Sequence, residues 1–140
     1  MPPTPLRLSG AAIDLAPRVQ RNATVTASPT ADAETIVATI TVTGDIAVQS
    51  GILVIAFGAF TQGTDGVSYN FRLRKTDVSG TILKATGVIA VAATVLAHGM
   101  LIGFDTAPTL PNQVYCFTSI HASASAGSTF SAVEIVAIVL

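Results

Sequence analysis

Between Asn22 and Leu140 the chain is a succession of short runs rich in Val, Ile, Thr and Phe, each closed by a cluster of Gly, Asp, Ser, Thr or Pro. β-Branched and aromatic residues suit the half-buried, pleated surface of a sheet, while Gly, Asp and Pro punctuate it with turns. A chain divided this way has no room for long amphipathic helices, which confines it to all-β architectures. Helix propensity competes only in the alanine-rich stretch 89 to 97. There Val88, Ile89, Val91 and Val95 are β-branched, and Gly87 and Gly99 bracket the stretch, so it reads as strand.

Alternation sets the individual strands. Residues 23 to 28 open the series. Residues 34 to 43 follow, with Ile36, Ala38, Ile40 and Val42 on one face and Thr35, Thr39 and Thr41 on the other. After a turn at Gly44-Asp45, residues 52 to 60 are almost continuously apolar, the mark of a strand covered on both faces, central in a sheet or at an interface. Residues 62 to 66 form a loop by composition. Residues 67 to 76 then alternate cleanly, with Tyr69, Phe71 and Leu73 opposed to Asn70, Arg72 and Arg74.

The tetrapeptide Asp77-Val78-Ser79-Gly80 has the opening Asp and closing Gly of a type I turn, so residues 71 to 75 and 81 to 85 are expected to form a hairpin. Further strands are expected at 87 to 94, 98 to 105, 113 to 122 and 130 to 140. Eight or nine antiparallel strands around one apolar core read as a jelly-roll-like sandwich. The last strand runs through Ile135-Val136-Ala137-Ile138-Val139-Leu140, far too apolar for a mobile tail. It is expected to be buried, central in a sheet or along a symmetry axis.

Ordinary soluble domains are about 25% charged, whereas this chain of 140 residues is 11% charged and 50% hydrophobic. A chain so poor in charge is expected to hide part of its surface in contacts between subunits. Phe57, Phe60, Ile135, Ile138 and Leu140, on the two most apolar strands, are the candidate contact residues. A membrane is not expected as partner, because the apolar stretches 52 to 60 and 132 to 140 fall short of the roughly 20 residues of a spanning helix. A net charge of -1 lacks the basic surface that nucleic acid requires.

Residues 1 to 21 hold four of the seven prolines and follow neither strand nor helix period, so they read as an extended N-terminal arm preceding a sandwich domain at 22 to 140. Pro5, Leu6, Leu8, Ile13, Leu15 and Val19 are its candidate contact residues. Such an arm can reach a neighbouring subunit by strand addition, or pack on its own domain. The start lacks the basic and apolar regions of a secretory leader, so export by that route is not expected.

The hairpin Tyr69-Asn70-Phe71-Arg72-Leu73-Arg74-Lys75 through Gly80-Thr81-Ile82-Leu83, the strand from Gly87 and the terminal Ser131-Ala132-Val133-Glu134-Ile135-Val136-Ala137-Ile138 resemble small trimeric jelly-roll domains of bacteriophage virions. Those domains resemble the sandwich of tumour necrosis factor and C1q, and serve as capsid decoration (cement) proteins or as heads of tail appendages. The resemblance covers residues 35 to 140. It implies a homo-oligomer, a trimer, made in the host cytoplasm and bound to the major capsid protein at the capsid surface. The chain departs from the tumour-necrosis-factor pattern in having only six Phe and two Tyr.

Residues able to do chemistry are sparse. His98 and His121 have no acidic residue at metal-binding spacing, and there is no Gly-x-Ser-x-Gly elbow and no phosphate-binding glycine loop. Gly63-Thr64-Asp65-Gly66 lacks the additional carboxylates of a calcium loop, and turn chemistry accounts for it. Cys116, the only cysteine, sits between Tyr115 and Phe117 and reads as a small buried hydrophobe. No catalytic residue and no cofactor is expected. Glu134 interrupts an apolar strand and therefore needs a cation or water, with Arg72 or Arg74, within the subunit or across an interface, the candidate partners and a solvent-facing position the alternative. The function expected is that of a structural virion protein. A receptor-binding tail head and a subunit of an extracellular filament are the alternatives.

Overall fold

The computed structural model describes residues 19–25, 33–43, 51–61, 67–92, 96–121 and 129–140. They form eight strands: β1 (Val19–Asn22), β2 (Thr35–Val42), β3 (Ile52–Thr61), β4 (Val67–Lys75), β5 (Ile82–Val91), β6 (Leu96–Asp105), β7 (Gln113–His121) and β8 (Thr129–Val139). All pairings are antiparallel, in two four-stranded sheets of order β1-β8-β3-β6 and β2-β7-β4-β5. The pairs β1 with β8, β2 with β7, β3 with β6 and β4 with β5 are nested like one long hairpin, and every connection except that hairpin's tip changes sheet. This is the jelly-roll arrangement.

The tip is the turn expected from sequence. The Gly80 amide donates to the Asp77 carbonyl at 3.1 Å, and the Asp77 carboxylate accepts from the Ser79 amide at 2.8 Å. A side chain at position 80 would collide with the Lys75 carbonyl, which is why glycine closes the turn. β3 and β8 lie side by side in the middle of the first sheet, as their two-faced apolar sequences require.

Three expectations need correction. The first described strand is β1, paired along β8, and residues 23 to 25 follow it outside any strand, while 26 to 28 lie outside the described residues. Residues 19 to 21 thus belong to the sheet instead of ending the arm. β1 has no apolar alternation because it is a short edge held by backbone pairing. The strands expected at 81 to 85 and 87 to 94 are joined in one strand, β5, from Ile82 to Val91, which continues through Gly87 (φ +75°), where the Phe71 amide turns to the Thr86 hydroxyl at 3.1 Å. Residues 93 and 94 lie outside the described residues. In β2 a bulge between Ile36 and Ala38 puts both Val37 and Ala38 in the core and leaves Ile36 half-buried. Strict alternation cannot foresee an inserted residue.

The core lies between the sheets. At one end Phe60, Tyr69, Phe71, Phe117 and Phe130 pack with ring centroids 4.4 to 6.3 Å apart, each burial favourable by roughly 2 to 3 kcal/mol. Towards the other end a polar latch joins the sheets. Lys75 of β4 lies 2.9 Å from the Asp105 carboxylate of β6, and the Tyr115 hydroxyl of β7 donates to the same carboxylate at 2.8 Å. Burial, with the Asp105 hydrogen bond and charge behind it, pushes the Tyr115 phenol well above its ordinary value, so it stays a donor at any physiological pH.

Candidate functional site

The two outer faces of the sandwich differ in kind. Strand register builds the outer face of the first sheet in rows. Val19, Ile138, Leu53 and Phe104 form one, and Arg21, Val136, Ile55 and Ile102 the next. Glu134, Phe57 and Met100 form the third, and Ala132, Ala59 and His98 the fourth. Strand spacing and rise give this surface about 15 Å by 20 Å between its outermost Cα rows, within the size of patches that mark interaction sites on monomers. Met100 is 62% exposed, Ile102 49%, Phe104 43% and Leu96 54%.

Charge enters only at one side. Arg21 and Glu134 face each other at 3.8 Å, both well exposed, a pair worth little to stability. Among the described residues, the half of the face built by β3 and β6 carries no Asp, Glu, Lys or Arg. Its His98 ring stacks on Phe57 with centroids 5.8 Å apart.

The outer face of the second sheet carries a charged network centred on Glu34, beside exposed Ile82 and Val88. Glu34 receives Arg74 through Nε at 2.6 Å and Nη2 at 2.8 Å, Arg72 through Nη1 at 2.9 Å, and the Thr118 hydroxyl. Partial burial works to raise the Glu34 carboxyl, but hydrogen bonds from Arg74 and Thr118 and both guanidinium charges outweigh it and hold it below its ordinary value. Cys116 is buried on this face, and burial, with the Asp77 charge behind it, pushes its thiol up to about 11, which suits the inert role read from sequence. A recess of about 280 Å³ beside Asn70, Arg72, Val88 and Ile120 completes the surface.

No family model and no curated protein matches this chain. Among solved structures it is similar to that of infectious bursal disease virus, Gx strain, at 11% identity and a TM-score of 0.48, over 88% of this chain and 32% of the other. The structure of the same virus's Gt strain matches at 12% identity and a TM-score of 0.42, over 86% and 30% of the respective chains. This chain thus spans about a third of the length of each of these two chains.

The candidate residues distribute as follows. Of the contact residues read from sequence, Phe57, Ile138 and Leu140 lie on the surface or half-buried at it, whereas Phe60 and Ile135 point into the core and are not available to a partner. Within the subunit Glu134 faces Arg21 and stands partly in solvent, while Arg72 and Arg74 are both taken by Glu34 on the other sheet, so the pairing expected inside the subunit is replaced by the solvent-facing alternative. Val19 is exposed in β1. Pro5, Leu6, Leu8, Ile13 and Leu15, and the loop 63 to 66, lie outside the described residues. His121 is buried against Tyr69, and among the described residues no three His, Cys, Asp or Glu side chains gather as a metal site.

Met100, Ile102 and Phe104 are the surface residues that sequence reasoning missed. Their strand alternates large residues with Ala97, Gly99, Leu101 and Gly103, and the hydrophobic rule alone would turn the large ones inward. The structure does the reverse. A Cβ on Gly99 would stand 2.9 Å from the Phe71 ring, and one on Gly103 2.9 Å from Leu73. At positions 99 and 103 the core side of β6 is already filled by Phe71 and Leu73, so only glycine fits at those two points, while Leu101 between them enters the core and Met100, Ile102 and Phe104 face out.

Proposed function

We propose that this chain is a structural virion protein, a homo-oligomeric capsid decoration subunit that assembles as a trimer and binds the major capsid protein of a bacteriophage head. The observation that carries the reading is the asymmetry of the two outer faces. A subunit of a shell needs one dry surface to give to protein and one wet surface to give to solvent. The β1-β8-β3-β6 face suits the first role and the Glu34-Arg72-Arg74 face the second. The low charge of the chain fits the same demand, since stable interfaces bury about 800 Å² per partner with a core depleted of charge.

On this reading the arm preceding β1, residues 1 to 18, reaches across to a neighbour or to the shell, and the protein sits on the capsid surface after synthesis in the host cytoplasm. It takes no cofactor, contacts neither nucleic acid nor membrane, and catalyses nothing. Light scattering on the purified protein, followed by sedimentation with undecorated capsids, tests it. The expected result is a mass of three copies or a multiple of three, pelleting with shells and raising their melting temperature. A monomer that leaves shells unchanged overturns the reading and turns attention to host-surface glycans.

A further inference from the structure

A sheet edge presents unpaired backbone N–H and C=O groups, and soluble proteins blunt such edges with short strands, bulges, charges or covering side chains. Among the described residues the sandwich has four edges, and three are blunted. β1 has four residues and carries Arg21. β2 is bulged, and β1 covers its edge groups: Asn22 Nδ2 donates to the Thr39 carbonyl at 2.7 Å, while the Gln20 amide bonds both the carbonyl and the N–H of Thr43. β5 carries two register irregularities, a left-handed Gly87 and Lys84.

β6 has none of these devices. It pairs with β3 over ten consecutive residues without a bulge, and no proline or Asp, Glu, Lys or Arg interrupts it from Leu96 to Phe104. Among the described residues its other edge has no hydrogen-bonded strand partner, and no backbone hydrogen bond ties it to another segment, although β5 of the facing sheet passes close to β6.

We infer that β6 is a homotypic assembly edge, pairing antiparallel with β6 of a second copy across a twofold axis at Met100. Self-complementarity selects the occupant. Met100 is the midpoint of the uncharged run, and centring there sets Leu96 opposite Phe104 of the second copy and His98 opposite Ile102, with Met100 facing itself. No like charges meet, and Asp105 stays outside the paired stretch. The junction turns two four-stranded sheets into one of eight, and their apolar outer faces run on without a break, so edge pairing and apolar cover reinforce each other. The same surface offers an acidic or basic partner no charge to read.

The contact does not rest on the virion reading. A threefold assembly joined in pairs through β6 has six copies, so a bare trimer would leave that reading standing and sink this contact, and two experiments test it. In Met100→Cys the introduced thiols face each other at the Cα spacing of an antiparallel pair, about 4.5 to 5.5 Å, within disulfide reach. Cys116 is buried and does not compete. Mild oxidation is expected to give a covalent dimer. Met100→Lys and Met100→Glu each place like charges on the axis and are expected to weaken association at least about tenfold, while an equimolar mixture restores it. Circular dichroism should show both variants folded, since Met100 lies largely in solvent. A wild-type mass of one or of three copies, the absence of the cross-link, or a mixture no better associated than its components overturns the inference.

Discussion

A single carboxylate organises the polar face of the second sheet. Glu34 precedes β2 and gathers donors from two other strands, Arg72 and Arg74 of β4 and Thr118 of β7. Glu34→Gln keeps the shape but leaves two guanidinium groups without their counter-charge. It is expected to cost about 2 kcal/mol, read as a fall of about 6 °C in Tm. Because the folded protein holds the Glu34 carboxyl below its ordinary value, the unfolded chain binds more protons through that range, and stability rises with pH there. The Glu34 contribution is complete above the ordinary carboxylate range and is lost as pH falls through the lowered value. Urea midpoints between pH 7 and pH 3 should drop more steeply for wild type than for Glu34→Gln. The Arg72 and Arg74 side of this network was legible from alternation, but its acid was not. Glu34 and Glu134 look alike in sequence, and only the sheet assignment separates them.

At the scale of the element, β6 shows a strand whose orientation is decided by its neighbour. Phe71 and Leu73 project from β4 onto the inner side of β6 so closely that Gly99 and Gly103 meet them without a Cβ. Gly99→Ala should therefore destabilise, by about 1 to 3 kcal/mol for an overpacked core, despite the modest entropic gain of replacing a glycine. Denaturant midpoints with an unchanged m-value would check this. The opposite sign would mean that the Phe71 ring yields and that the glycines have another cause. Strand positions were readable from turn residues and alternation for β2, β3, β4, β6, β7 and β8. β1 escaped because a four-residue edge buries too little to leave a pattern, and the join within β5 escaped because Gly87 imitates a chain break.

For the whole molecule, nested pairing makes the last strand indispensable. β8 stands between β1 and β3, and Ile135, Ala137 and Val139 are buried in the core. A chain stopped after Glu134 loses these contacts and splits the first sheet down its middle. It is expected to show no cooperative thermal transition by near-ultraviolet circular dichroism, where the full chain shows one. The amino-acid sequence by itself determined the all-β class, the hairpin at Asp77 to Gly80, the apolar covering of β3 and β8 and the burial of Cys116. Each follows from local propensity, turn chemistry or the period of two, which a few neighbouring residues express on their own. The tertiary structure alone decided which side of β6 faces out, which glutamate the arginines hold, and which edge is left open. Those outcomes depend on side chains that meet from strands distant in sequence, where the space already taken by one strand determines what its neighbour can turn towards it.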